Sequence, residues 1–269
     1  MDKIATLNDK FSWRRCLSIG LLYKKSIIYY LSGSAAVSLL CVLLVELVNH
    51  SGGNVMATYS LASLLVAAAF YFSPIMFARR DDTIMTLLPV KTSEKLVFYL
   101  LLVLVVTPAV IEGIWYGLNL IFSMINKDWD VTRMMYAYIS ESGTDLKSIL
   151  GDENECQLKI SQVIAGCIQA FALIITGLYV VLRSTLHRVV KSMSSVLGMI
   201  FFIMIMAGVT GGVIAVAKMS VDADPTELSA MIIEEIMPYM IVMWGAMLIY
   251  GLFMTYRIYR LLATRQAKN

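Results

Sequence analysis

Charged side chains are scarce in this chain of 269 residues: they make up 15% of it, against 59% for hydrophobic residues. A soluble globular domain has about a quarter charged and about half apolar residues. So few charges cannot cover the surface of a water-soluble protein of this size. The composition therefore excludes an ordinary soluble domain and predicts a membrane protein.

Residues and motifs that carry catalysis are also missing. The only histidines, His50 and His187, fall on opposite sides of the membrane in the topology derived below, so they cannot share a metal ion. The chain has no phosphate-binding loop of the form GxxxxGK[ST], no GxSxG elbow and no HExxH. We expect no catalytic residue, no metal site and no cofactor bound by this chain, and therefore no enzyme.

Long uncharged runs are the most prominent feature that is present. Each is long enough for a helix to cross about 30 Å of hydrocarbon, and lipid favours helices because each satisfies its own backbone. The sequence predicts an all-α, polytopic membrane protein, with residues 1–269 forming one transmembrane domain. The six predicted spans cover approximately residues 26–47, 55–78, 95–123, 160–183, 192–217 and 236–258.

The basic residues predict the orientation of these spans. All but five of the 22 lysines and arginines flank alternate ends of the spans, and basic residues remain on the cytoplasmic side. Both termini should therefore be cytoplasmic, in the inner (cytoplasmic) membrane of the cell, with outer loops at 127–159 and 218–235 that carry short helices. The modest net charge of +3 hides this asymmetry between the two sides, and no nucleic-acid partner is expected. The five exceptions are Lys127, Arg133, Lys147, Lys159 and Lys218.

Residues 10–25, before the first span, mix basic and apolar side chains. Trp13, Leu17 and Leu21 recur every four residues and would share one face of a helix. The pattern favours an interfacial helix that lies in the headgroup plane, with membrane lipid as its partner. The alternative is an ordinary basic tail.

The charged loop at 79–94 joins the second and third predicted spans. Residues 81–88 could form one or two helical turns, and Pro89 biases the residue before it away from helical geometry. Thr92 or Ser93 could then cap the next helix, with Glu94 in its first turn. A simple connector has little need for the apolar residues of this loop, so we expect it to be a cytoplasmic contact surface.

Glu112 is the only charged residue in the run from Leu96 to Asn126. A carboxylate that faces lipid is costly, so it should face the bundle, a cavity or headgroups. One hypothesis is a place on a translocation path; the other, which we favour, is a satisfied residue near the outer interface. Gly113 and Gly117, in the same span, have a spacing that lets helices approach closely.

This layout resembles the membrane subunits of ATP-binding-cassette (ABC) transporters of the type-2 exporter class. That family has a cytoplasmic in-plane helix, six spans with both ends inside, and a coupling helix between the second and third spans. The segment from Leu88 to Lys95, LPVKTSEK, is similar to an "LP-small-S-x-x-EK" signature of permease-like proteins from Bacteroidetes bacteria. Val90 and Lys91 depart from that signature, where Ala and Ser are usual.

The resemblance implies a permease subunit of an exporter, paired as a homodimer or heterodimer and driven by a separate ABC ATPase subunit that binds the ATP. The residues expected to contact that ATPase are Arg79, Arg80, Ile84, Leu87, Leu88, Pro89 and Glu94, and Glu112 is the candidate for the translocation path. The alternative is a non-transporting membrane scaffold, an assembly factor or an immunity-type protein, which would need the same spans and sidedness.

Overall fold

The computed structural model describes residues 11–52, 55–78, 90–125, 164–184, 186–220 and 237–266. This part of the chain is helical and contains no strand. It holds six helices that are long and apolar enough to cross a membrane, which confirms the predicted helical membrane protein. The helices are α1 (Trp13–His50), α2 (Val55–Tyr71), α3 (Thr92–Ile125), α4 (Ile164–Arg183), α5 (Arg188–Ser220) and α6 (Met237–Gln266).

Helix α1 differs from its predicted form. One uninterrupted helix of 38 residues begins at Trp13 and continues through the first span, so no helix break separates residues 13–25 from 26–47. Trp13, Leu17 and Leu21 do share an exposed face, while Cys16 and Ile19 point into the core. The buried side of this first part of α1 packs in the same core as α3 and α4, which explains why the helix continues. The orientation of residues 13–25 relative to a bilayer stays a prediction.

Helix α2 ends before the predicted boundary at residue 78. The α-helix stops at Tyr71 and a 3₁₀ turn, Ser73–Phe77, follows with Pro74 inside it. Proline has no N–H to donate to the helical ladder, so a change of backbone geometry is expected at this position. A hydrogen bond from the Tyr30 hydroxyl to the Ala69 carbonyl joins α1 to α2 about one helical turn before the 3₁₀ turn.

Helix α3 has a wide turn in its middle. Residues Leu102–Val106 form a π-helical turn, and the Thr107 hydroxyl donates a hydrogen bond of 2.8 Å to the Leu102 carbonyl. Pro108 follows directly and cannot donate to this part of the ladder, which favours such a turn. Beyond it the buried positions of α3 are Thr107, Ile111, Trp115 and Asn119.

The core has two clusters at different heights. The larger one joins the beginning of α1, the 3₁₀ turn, the beginning of α3 and the final turns of α4 and α6. A smaller one joins the second half of α1 to α2 and to the second half of α3. We call the end of the bundle at the larger cluster the basic end, because Arg15, Lys91, Arg183 and Arg257 lie there.

Helix α4 is the most buried of the six in its described part. Ile175, Leu178 and Leu182 are fully buried in the larger cluster. A four-residue connection then leads to α5, and His187 within it has the positive φ of 51° that a sharp reversal requires. The sixth helix, α6, extends to Gln266, eight residues beyond the predicted span.

Candidate functional site at the basic end

Glu94 lies at the centre of an ion-paired contact between α1 and α3. Its Oε1 accepts hydrogen bonds from the Ser12 backbone N–H at 2.8 Å and from Arg15 Nη2 at 2.7 Å. Arg15 Nε lies 3.1 and 3.2 Å from the two carboxylate oxygens, and the Lys91 backbone N–H donates to Oε2 at 3.0 Å. We call Ser12, Arg15, Lys91 and Glu94 the anchor.

Local sequence explains how α3 supplies this acceptor. Lys91 is the N-cap and the helix begins at Thr92, so the predicted cap at Thr92 or Ser93 is wrong by one or two positions. Glu94 is then the third helical residue, the position from which a carboxylate reaches back to the N-cap N–H. With Oε2 bonded to the Lys91 N–H, the remaining lone pairs of the Glu94 carboxylate accept from Ser12 and Arg15.

The Glu94 carboxylate is fully buried, whereas the Arg15 side chain keeps 23% of its surface exposed. A buried charge is tolerated only when it is paired and its lone pairs are satisfied. Four donor nitrogens from three residues meet that condition here. Glu94 is therefore held by its own chain, and a direct contact between Glu94 and a partner protein stays a prediction.

An aromatic cluster supports the anchor from inside the core. Phe77 packs edge-to-face on Tyr23 and Tyr99, with ring centroids 5.1 and 4.8 Å apart, and Phe98 lies beside it. The hydroxyls of Tyr23 and Tyr99 lie 3.3 Å apart. Such edge-to-face pairs add to the stabilisation from burial alone.

The larger core cluster holds the residues on both sides of 79–89, the part of the charged loop that lies outside the described residues. Phe77, just before residues 79–89, has no exposed surface, and Val90, just after them, is 4% exposed. Both belong to the larger core cluster. The last described residues before 79–89 and the first one after them are thus held in the same core.

Most of the predicted contact residues fall in the segment between Ala78 and Val90. Arg79, Arg80, Ile84, Leu87, Leu88 and Pro89 lie outside the described residues. The same holds for the predicted outer loop at 127–159 and for residues 221–235 of the other, whose first three residues, 218–220, are still part of α5.

Glu112 lies within the predicted third span, and its side chain is exposed at the surface of α3. A Cβ placed at Gly113 or Gly117 would meet no other atom within 4 Å, so no described helix of this chain makes the close approach that their spacing favours. Tyr116 is exposed on the same side. This face of α3 therefore carries no close helix packing from the described residues, although Glu112 lies within electrostatic reach of Tyr59 and Tyr71 on α2.

A cavity of about 580 Å³ lies beside the beginning of the charged loop. Ser26, Tyr29 and Tyr30 line it from α1, and Ile75, Met76 and Ala78 line it from the 3₁₀ turn and its end. Val189 closes it from α5. The cavity therefore adjoins Ala78, the last described residue before the charged loop.

Sequence reasoning missed Arg15 and Ser12. Arg15 is one of several basic residues before the first span, and 79 positions separate it from Glu94. The one local signal was an acidic residue in the first turn of α3.

Among the described residues no group of three His, Cys, Asp or Glu side chains is arranged to hold a metal ion.

Comparison of the chain with protein-family models, with curated proteins and with solved structures finds no match. The six helices that are long and apolar enough to cross a membrane indicate the class, a multi-pass helical membrane protein.

Proposed function

We propose that this chain is the permease subunit of an ABC-type exporter. In this proposal both termini and the basic end face the cytoplasm, and a separate ATPase subunit binds and hydrolyses ATP. Three observations support it: the one-sided distribution of basic residues, the six apolar helices, and the resemblance of residues 88–95 to a permease signature. Two copies, identical or different, would line the path for the substrate.

The observation that carries the proposal is the anchor next to the charged loop. A force on residues 79–89 acts directly on Val90 and Lys91, which are part of the core and of the anchor. Because Glu94 binds both Lys91 and Arg15, the first turns of α1 and α3 would move as one unit. A partner that pushes the loop could therefore shift two spans with a single contact.

Each predicted residue has a role in this mechanism. Ile84, Leu87 and Leu88 would insert into a cleft of the ATPase, and Arg79 and Arg80 would orient it by charge. The break at Pro89 would keep the contact segment separate from α3. Glu112 and Tyr116, on the exposed side of α3, would face the substrate path or the second copy.

The test is purification in mild detergent after co-expression with candidate ATPases, followed by identification of the bound chains. We expect an ABC ATPase to co-purify with the wild type and to be lost when Leu87→Ser removes an apolar contact. Leu21→Ser is the matched control, because it makes the same change on an exposed leucine of α1, far in sequence from the loop. Reversal of both charges at Arg79 and Arg80 should also weaken the association.

Retention of the ATPase by all these variants would contradict the proposed contact. If no ATPase co-purifies with the wild type, the transporter proposal fails and the scaffold alternative is favoured.

A further inference from the structure

A second cluster of charged and polar groups lies at the basic end, on α4 and α6. The Tyr179 hydroxyl accepts a hydrogen bond from Arg183 Nη1 at 3.2 Å and another from Arg257 Nη2 at 3.1 Å. Both guanidinium groups also lie over the Tyr179 ring, 5.8 Å from its centroid. Tyr179 itself is 8% exposed, whereas both arginines are exposed.

The two cations have no counter-charge in the described part of the chain. The ion pairs Arg15–Glu94 and His50–Glu46 involve neither Arg183 nor Arg257. Two like charges that share one phenol oxygen repel each other, and the repulsion is stronger near a low-dielectric core than in water. An anion placed between them would remove this cost.

The hydrogen-bonding groups of the cluster are complementary to such an anion. Arginine offers N–H donors and no acceptor. The Tyr179 oxygen is already occupied by two donors, and its own O–H donates to no described group. The cluster thus presents convergent donors without an acceptor, an arrangement that suits the oxygens of a phosphate group.

The surroundings of the cluster indicate the source of the phosphate. Phe253 and Tyr256 are exposed beside Arg257 on α6, and the Phe253 ring lies 5.8 Å from the Arg257 guanidinium carbon. Aromatic side chains concentrate at the level of the lipid headgroups. Exposed Ile249 and Phe253, about two turns and one turn before Arg257 on the same side of α6, offer an apolar surface to an acyl chain.

We propose that Arg183, Arg257 and the Tyr179 hydroxyl form a binding site for the phosphate of an anionic phospholipid headgroup. The phosphate oxygens accept from both guanidinium groups and from the phenol, and the acyl chains follow the apolar side of α6. This site does not depend on the loop at 79–89 or on an ATPase partner.

The experiment is a titration of the purified protein in detergent, read by native mass spectrometry as the fraction of lipid-bound protein. The probes are short-chain phosphatidylglycerol, phosphatidylcholine of equal chain length, and inorganic phosphate as competitor. We expect one tightly bound phosphatidylglycerol, weaker binding of phosphatidylcholine, and little competition from inorganic phosphate. Equal binding of the two lipids would overturn the proposal, and so would full displacement by inorganic phosphate, which would identify a free anion as the ligand.

Variants locate the site. Arg257→Gln and Arg183→Gln should each weaken phosphatidylglycerol binding by about fivefold, the contribution expected of one basic residue beside an anionic lipid surface. Arg260→Gln is the matched control, since Arg260 is an exposed arginine one turn further along α6 and makes no described side-chain contact with Tyr179. Tyr179→Phe keeps the ring beneath the arginines but removes the O–H, and should give a smaller loss.

Gel filtration and thermal unfolding of each variant show that it is folded before binding is measured. An equal loss for Arg257→Gln and Arg260→Gln would mean that only diffuse positive charge attracts the lipid, and would overturn the proposed site.

Discussion

Substitution of Glu94 by glutamine tests the anchor most directly. The carboxylate accepts bonds of 2.8 Å from Ser12, 2.7 Å from Arg15 and 3.0 Å from Lys91, in a position without solvent. Glutamine retains one acceptor oxygen and replaces the other by an NH₂ group, which must face a donor. The Arg15 charge also loses its partner. Breaking a buried pair in this way costs about 3 kcal/mol or more, and at about 2–4 °C per kcal/mol for a domain of this size the melting temperature should fall by about 6–12 °C.

The assay is the loss of the monodisperse gel-filtration peak after heating in mild detergent. Glu112→Gln is the matched control, because it makes the same substitution on an exposed residue of the same helix and should leave the melting temperature nearly unchanged. Arg15→Gln should also destabilise the protein, and the neighbouring exposed Arg14→Gln should not.

A charge swap separates the anchor from a simple ion pair. In the double variant Arg15→Glu with Glu94→Arg, the backbone N–H groups of Ser12 and Lys91 would face a donor in place of an acceptor. We therefore expect no rescue. Full recovery of stability by the swap, or equal melting temperatures for Glu94→Gln and Glu112→Gln, would refute the reasoning.

Two further predictions concern helix packing and orientation. A Cβ at Gly251 would lie 2.5 Å from Cε1 of Phe171 on α4, so Gly251→Ala should destabilise the protein by about 1–3 kcal/mol. Gly245→Ala is the control and should have no effect, because a Cβ there meets no atom within 4 Å. Phe171→Leu in the Gly251→Ala background should restore stability by removing the ring that clashes. In a cysteine-free background, a membrane-impermeant maleimide should label Ser51→Cys in intact cells but Lys24→Cys only after permeabilisation. Both positions are exposed at the ends of the first span, and the reverse pattern would invert the proposed topology.

The spans could be predicted from the sequence because a run of about 20 apolar residues has the length that a helix needs to cross the hydrocarbon core of a bilayer. Their ends were less predictable, since long-range packing decides them. Nothing before Lys24 indicates that Ile19 and Tyr23 will be covered by residues of α3 and α4, yet this contact keeps α1 helical from Trp13 onward.

The local contact of the anchor, between Glu94 and Lys91, could be predicted from the sequence, whereas its long-range contact with Arg15 could not. A glutamate in the first turn of α3 is visible in the sequence, and its bond to the Lys91 N–H is a local consequence of helix geometry. Its pairing with Arg15 is not local. Lys10, Arg14, Lys24 and Lys25 have the same type of charge in the same segment, and only the packing of α1 on α3 selects Arg15.

The wide turn at Leu102–Val106 has a consequence for the residues that follow it in α3. Counted forward from the fully buried Tyr99 and Val103 at about 3.6 residues per turn, ordinary winding would bring Val110 and Ile114 to the inward side. The actual inward residues are Thr107, Ile111 and Trp115, so the bulge changes the helical phase between the two halves of α3 by about one residue. Any rewinding of those five residues while the anchor holds the first half would turn the second half of α3 about its axis and take Ile111 and Trp115 out of the smaller core cluster that they form with α1 and α2.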